Sequence, residues 1–148
     1  MFRSILSVLG IVTALAVSPG HSTERPPATL YKNPQCSCCE QYASYLRRSG
    51  FEVKVVPTHN LSLIRRQAGV NIPEKLEGCH TTFIDKYVVE GHVPVKTLDK
   101  LLTERPEIRG ISLPGMPMGS PGMTGQKTEP FTIYEIGNEA DPRVYATE

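Results

Sequence analysis

The hydrophobic pattern opens with an apolar run from Ile5 to Val17 (ILSVLGIVTALAV), preceded by Arg3 and followed by the small residues Ser18-Pro19-Gly20. A basic start, a short apolar stretch and a small-residue exit form the layout of a secretory signal peptide. Residues 1–20 are therefore expected to direct export and to be removed. The run is shorter than the roughly 20 apolar residues a transmembrane helix needs, and an uncleaved anchor is the alternative. No cysteine follows the run directly and no second such run exists. No lipid anchor, and no membrane attachment after cleavage, is expected. Residues 21–28, which include the polar, proline-bearing stretch TERPPA, read as a linker.

From residue 29 the pattern switches between strand and helix. Thr29 to Lys32 (TLYK) is a short strand ended by Asn33-Pro34. From Glu40 the spacing turns helical, with Tyr42, Tyr45 and Leu46 three and four residues apart and Gly50 as the closing cap. Phe51 to Val56 (FEVKVV) alternates and is rich in β-branched residues, so it is a strand. Asn60 caps a second helix through Leu61, Leu63, Ile64 and Ala68. Val70 to Gly78 is a loop or a short helical turn. Thr81 to Asp85 (TTFID) and Tyr87 to Glu90 (YVVE) pair as a hairpin, and Thr97 to Leu102 forms a third helix between Pro94 and Pro106.

Pro114 to Met123 (PGMPMGSPGM) carries too much glycine and proline for a helix or a central strand. Phe131 to Ile136 is a late strand, and residues 137–148 read as a tail. The order contains a strand–helix–strand unit, whose crossover is right-handed. It predicts one α/β domain over residues 29–136, a small mixed sheet with flanking helices, with cysteines placed where the thioredoxin-like architecture carries its cysteine pair. The chain has 148 residues and a net charge of +1, with acidic and basic residues interleaved. Nothing in that balance suggests a nucleic-acid partner.

The chemistry is concentrated in four thiols. Cys36, Cys38 and Cys39 lie within one turn of backbone, and Cys79 stands beside His80. Thiols so placed hold a soft metal or exchange electrons as a dithiol/disulfide pair. At the start of a helix, backbone N–H groups and the helix dipole favour thiolate, which suits both jobs. A dithiol enzyme needs two thiols, so four favour shared metal coordination. His92, next to Pro94, is a further candidate ligand; Pro94 is in turn a candidate for the proline, often cis, that faces a cysteine pair. His59 has a weaker case, and His21 lies near the expected cleavage point. Structural disulfides are the routine expectation for an exported chain, although adjacent cysteines such as Cys38 and Cys39 fit that reading poorly.

Met116, Met118 and Met123 share one loop that offers little apolar company. Thioethers select Cu(I) over zinc, calcium or magnesium. The loop therefore turns the expected metal from zinc, for which three cysteines and a histidine would suffice, towards copper.

The set C-S-C-C, G-C-H-T, G-H-V-P and G-M-P-M-G-S-P-G-M, in that order from about Leu30 to Met123, resembles the periplasmic copper-resistance proteins of the CopG type. The resemblance implies a thioredoxin-like fold, a periplasmic location and copper binding. By position it marks Cys36, Cys38, Cys39, Cys79 and His80 as ligands, with Met116, Met118 and Met123 as candidates. The copper would be Cu(I), in one ion or several, exchanged with other periplasmic copper-handling proteins. Three readings stay open at this level. They are a copper-holding resistance protein, a thiol or copper oxidoreductase using Cys36 and Cys39, and a disulfide-stapled interaction domain.

Overall fold

The computed structural model describes residues 24–137 and 141–148. The N-terminal apolar run, with the expected signal peptide and His21, lies outside them. Seven strands form one mixed sheet. β1 (Ala28–Lys32), α1 (Ser37–Arg48) and β2 (Val53–Pro57) make the expected crossover unit, with β1 and β2 parallel and Leu30 opposite Val55. α2 (Leu61–Gln67) follows, and the Asn60 side chain caps it by accepting the Leu63 N–H at 2.9 Å. A single 3₁₀ turn at Glu74–Leu76 leads into the hairpin of β3 (His80–Ile84) and β4 (Tyr87–Gly91). Then come α3 (Val95–Glu104), β5 (Gly110–Leu113), β6 (Thr132–Ile136) and β7 (Val144–Thr147). The spatial order is β2-β1-β3-β4-β5-β6-β7.

Strand side chains alternate between the two faces of a sheet, and the two faces carry separate cores. Leu30, Ile84, Val89, Ile111 and Ile133 pack with Tyr42 and Leu46 of α1 and Leu98 and Leu101 of α3. On the other face Val88 and Ile136 pack with Val70, Ile72 and Leu76 from the segment after α2. α2 contributes little apolar burial; its buried residue is Arg65. Among the described residues no helix is long and apolar enough to cross a membrane.

Three features differ from the expectation, and a fourth concerns Pro94, whose isomer the sequence leaves open. α1 begins at Ser37, with Cys36 at its N-cap, so the cysteine cluster is the first turn of the helix rather than the loop before it. β5 arises from Gly110–Leu113, a four-residue stretch buried at every position, which gives no alternation to recognise. The residues read as a tail carry β7, which pairs antiparallel with β6, and Glu148 exchanges backbone hydrogen bonds with Phe131. Pro94 stands at the N-cap of α3, and no peptide bond among the described residues is cis.

Because β7 covers the edge of β6, truncation after Gly137 should cost about 2 kcal/mol and lower the melting temperature by roughly 5–10 °C. Calorimetry checks this; an unchanged melting temperature would mean that the segment adds nothing to the sheet.

Candidate metal centre

Strand directions bring four chain segments to one end of the sheet. β1 leaves at Lys32, which lies opposite His80, the first residue of antiparallel β3. β4 runs antiparallel to β3 and leaves at Gly91, and β5 runs parallel to β4 and leaves at Leu113, opposite Gly91. The Cys36–Cys39 turn, the Cys79-His80 entry, His92 and the Pro114–Met123 loop therefore all start from the same edge.

The four sulfurs of Cys36, Cys38, Cys39 and Cys79 all lie within 4.8 Å of one another. Cys36 and Cys39 are joined as a disulfide with their Cα atoms 5.5 Å apart, and Cys38 and Cys79 are free thiols. In this state two of the four expected ligands are bonded to each other. The Cys36 and Cys38 sulfurs are 3.4 Å apart, and the Cys39 and Cys79 sulfurs 3.6 Å. Cys39 is fully buried, whereas Cys36, Cys38 and Cys79 are half-buried. The first turn of α1 leaves backbone N–H groups without helical partners, a setting that favours negative charge.

Two imidazoles converge on Cys79. Its sulfur lies 3.4 Å from Nδ1 of His80 and 3.4 Å from Nε2 of His92. Both rings are buried and pack edge to face, with centroids 4.9 Å apart. Tyr42 floors the pair, its ring 4.8 Å from His80 and 5.2 Å from His92, and its hydroxyl donates to the Val93 carbonyl at 2.8 Å. His92 Nδ1 is 2.6 Å from the Pro121 carbonyl. A carbonyl accepts only, so Nδ1 carries the proton, and in the neutral ring Nε2 presents its lone pair to Cys79. His80 Nε2 has no hydrogen-bond partner among the described residues.

The methionine loop reaches the site through its backbone. A Cβ on Gly122, whose φ is +83°, would lie 2.7 Å from the Tyr42 nitrogen and 3.1 Å from the Cys38 carbonyl oxygen. Only glycine permits that approach. Met123 follows directly, is half-buried, and donates its N–H to the Ser120 carbonyl at 2.9 Å. Met116 and Met118 are exposed, and the Met118 thioether packs over Gly125. His59 is exposed, on the chain between β2 and α2.

Sequence reasoning did not single out Lys32, Arg65, Glu90 or the aromatic floor. Lys32 is buried at the end of β1, where it donates to the Pro34 carbonyl at 3.2 Å and pairs with Glu40 at 3.0 Å, across the turn that carries Cys36. A basic residue at an inward strand position was the available signal. Arg65 and Glu90 form a buried ion pair behind the Cys79 segment, with 2.7 Å between Nη2 and Oε2.

A family model described as "Protein of unknown function, DUF411" matches residues 76–123. No curated protein sequence matches. Two solved structures, forms 1 and 2 of a copper resistance protein CopG, are each 32% identical to this chain. The form 2 match covers 84% of this chain and 99% of that one with a TM-score of 0.74; form 1 gives 84%, 98% and 0.73. The chain belongs to the CopG family. The family-model segment of this CopG-family chain holds Cys79, His80, His92 and the methionine loop, while Cys36–Cys39 lies before it. The cysteine cluster and the Cys79–His80–His92 group each have the donor types and spacing to hold a metal ion, and thiolate with imidazole is a soft set.

Burial first, then Cys38, pushes the Cys79 thiol up to about 12. Burial first, then His92, lowers His80 to about 3. In an unfolded chain these groups titrate at about 8.5 and 6.5. Below pH 6.5 the unfolded chain takes up a His80 proton that the folded chain refuses, so stability falls towards pH 3. Above pH 8.5 the unfolded chain releases a Cys79 proton that the folded chain retains, so stability falls towards pH 12. The melting temperature of metal-free protein with the Cys36–Cys39 disulfide intact should therefore peak near neutrality. Cys79→Ala should flatten the alkaline limb and His80→Gln the acid limb; limbs unchanged by these substitutions would contradict the assignment.

Proposed function

We propose that this protein is an exported, periplasmic copper-resistance protein that holds Cu(I) through Cys36, Cys38, Cys39 and Cys79, with His80 and His92 completing the site. One observation carries the reading: four sulfurs within 4.8 Å, with two imidazoles directed at one of them. Each thiolate offsets the charge of one Cu(I), and a thiolate can bridge two ions, so the cluster suits more than one. The metal-binding state requires the Cys36–Cys39 bond to be reduced by an external dithiol, which gives up two electrons and two protons, leaves as a disulfide and returns two thiols. Ionising half-buried Cys79 is unfavourable without a nearby cation. Copper supplies that cation, so binding releases protons and becomes pH-dependent. Met123, next to the anchored Gly122, is a candidate thioether ligand. Met116 and Met118, exposed on the same loop, suit the first capture of Cu(I) from a periplasmic donor.

Reduced protein loaded anaerobically with Cu(I) and then desalted should retain at least one copper per chain, measured by elemental analysis. Cys79→Ser should lower both the retained copper and its resistance to a chelator. A stoichiometry near zero in the wild-type protein would falsify the proposal.

The Cys36–Cys39 disulfide at the first turn of α1 favours a second reading, a thiol or copper oxidoreductase that uses this pair. Cys38→Ser separates the two. A dithiol enzyme keeps its turnover of a model disulfide, whereas the copper site loses metal and has no such turnover to keep.

A further inference from the structure

Behind the sulfur cluster, on the opposite face of the sheet from the His80 ring, lies a buried polar assembly that copper chemistry does not itself require. Glu90 is fully buried and Arg65 is 4% exposed. Glu90 on β4 stands directly opposite Thr81 on β3. Its Oε1 accepts the Thr81 hydroxyl at 2.6 Å, and its Oε2 accepts the Gly78 N–H at 2.8 Å. Arg65 reaches over from α2. Its Nη2 donates to Glu90 Oε2 at 2.7 Å and to the Gly78 carbonyl at 3.1 Å, and its Nε donates to Thr81 Oγ1 at 3.1 Å. Its Nη1 pairs with Glu77 at 2.7 Å. The pair thus holds both polar groups of Gly78 on one side of Cys79-His80 and the Thr81 side chain on the other. Gly78 lies so close to β4 that a Cβ there would sit 2.4 Å from the Gly91 nitrogen.

Stability alone is a poor explanation for such a pair. Well-packed apolar side chains of similar volume often replace a buried ion pair at no loss, because the cost of removing two charges from water offsets their attraction. What apolar side chains cannot supply is a fixed set of hydrogen bonds on the two residues that bracket a ligand dipeptide. Groups of this kind, one step behind a metal's ligands, commonly change affinity by about 10–100-fold when removed.

We infer that Arg65 and Glu90 are positioning residues that lock the Gly78–Thr81 segment and so aim Cys79 at the other three sulfurs. This rests on the copper-binding reading above, and the test separates the two. The variants are Arg65→Met with Glu90→Leu, which replaces the pair by apolar groups, and Glu90→Gln, whose amide oxygen can accept the Gly78 N–H while its amide N–H donates to Thr81 Oγ1, without the charge. The first readout needs no copper: the rate of alkylation of each thiol in reduced, metal-free protein, resolved by mass spectrometry. The second is Cu(I) affinity by anaerobic chelator competition.

In the double variant Cys79 should react at least about tenfold faster while Cys38 is unchanged, and Cu(I) affinity should fall by about 10–100-fold. Glu90→Gln should restore both to within about threefold of wild type, the scale of one weakened hydrogen bond. A general loss of stability would speed both thiols together and would overturn the inference. So would a folded double variant with wild-type Cys79 reactivity or wild-type affinity, or a Glu90→Gln variant impaired as much as the double one. If the double variant does not fold, Thr81→Val removes one anchor from the segment. Selective acceleration of Cys79 by about threefold is then expected, and none overturns the inference. If wild-type protein binds no Cu(I), the functional reading fails while the alkylation result still judges the positioning.

Discussion

The antiparallel pairing of β1 with β3 is the constraint on which the site depends. Lys32 faces His80 across that pairing, so the chain leaving β1 and the chain entering β3 meet at one edge whatever their side chains do. The first carries three cysteines into the start of α1, and the second carries Cys79. A parallel pairing would have put the entry to β3 at the far end of five-residue strands, at about 3.3 Å per residue, well beyond reach of a shared ion. The β3–β4 hairpin and the parallel β4–β5 pair then return His92 and the methionine loop to the same edge. The apolar cores on the two faces supply the energy that holds this arrangement. The sulfurs are placed by it and contribute little to holding it.

The site is built so that its parts explain one another. Pro121 fixes the tautomer of His92, His92 faces Cys79, and Gly122 lets the same loop lie on the first turn of α1 beside Cys38. Tyr42 belongs both to the core and to the floor under the two imidazoles. Each contact ties a candidate donor to a rigid element, and groups fixed in advance lower the entropy cost of binding a ligand. Burial also disfavours ionisation of the Cys79 thiol.

Much of this could be read along the chain. The alternation in FEVKVV, the TTFID–YVVE hairpin and the Asn60 cap gave β2, β3, β4 and α2 to within a few residues, because each is a local signal. Cysteine clustering marked thiols that the fold brings together, and GHVP marked His92, which lies 3.4 Å from Cys79. The parts that stayed hidden are non-local. β5 is short and buried throughout, so it lacks a period. β7 follows a polar stretch and gains its form from pairing with β6. Arg65 and Glu90 are 25 residues apart, and neither looks unusual until the fold buries them together. The Cys36–Cys39 bond was one of several arrangements the spacing allowed, and spacing cannot choose among them.

X-ray absorption at the copper edge of reduced protein loaded under anaerobic conditions tests the convergence of these donors on the metal most directly. The account predicts Cu(I) in a first shell dominated by sulfur. A shell of oxygen and nitrogen alone, with no sulfur scatterer, would contradict it.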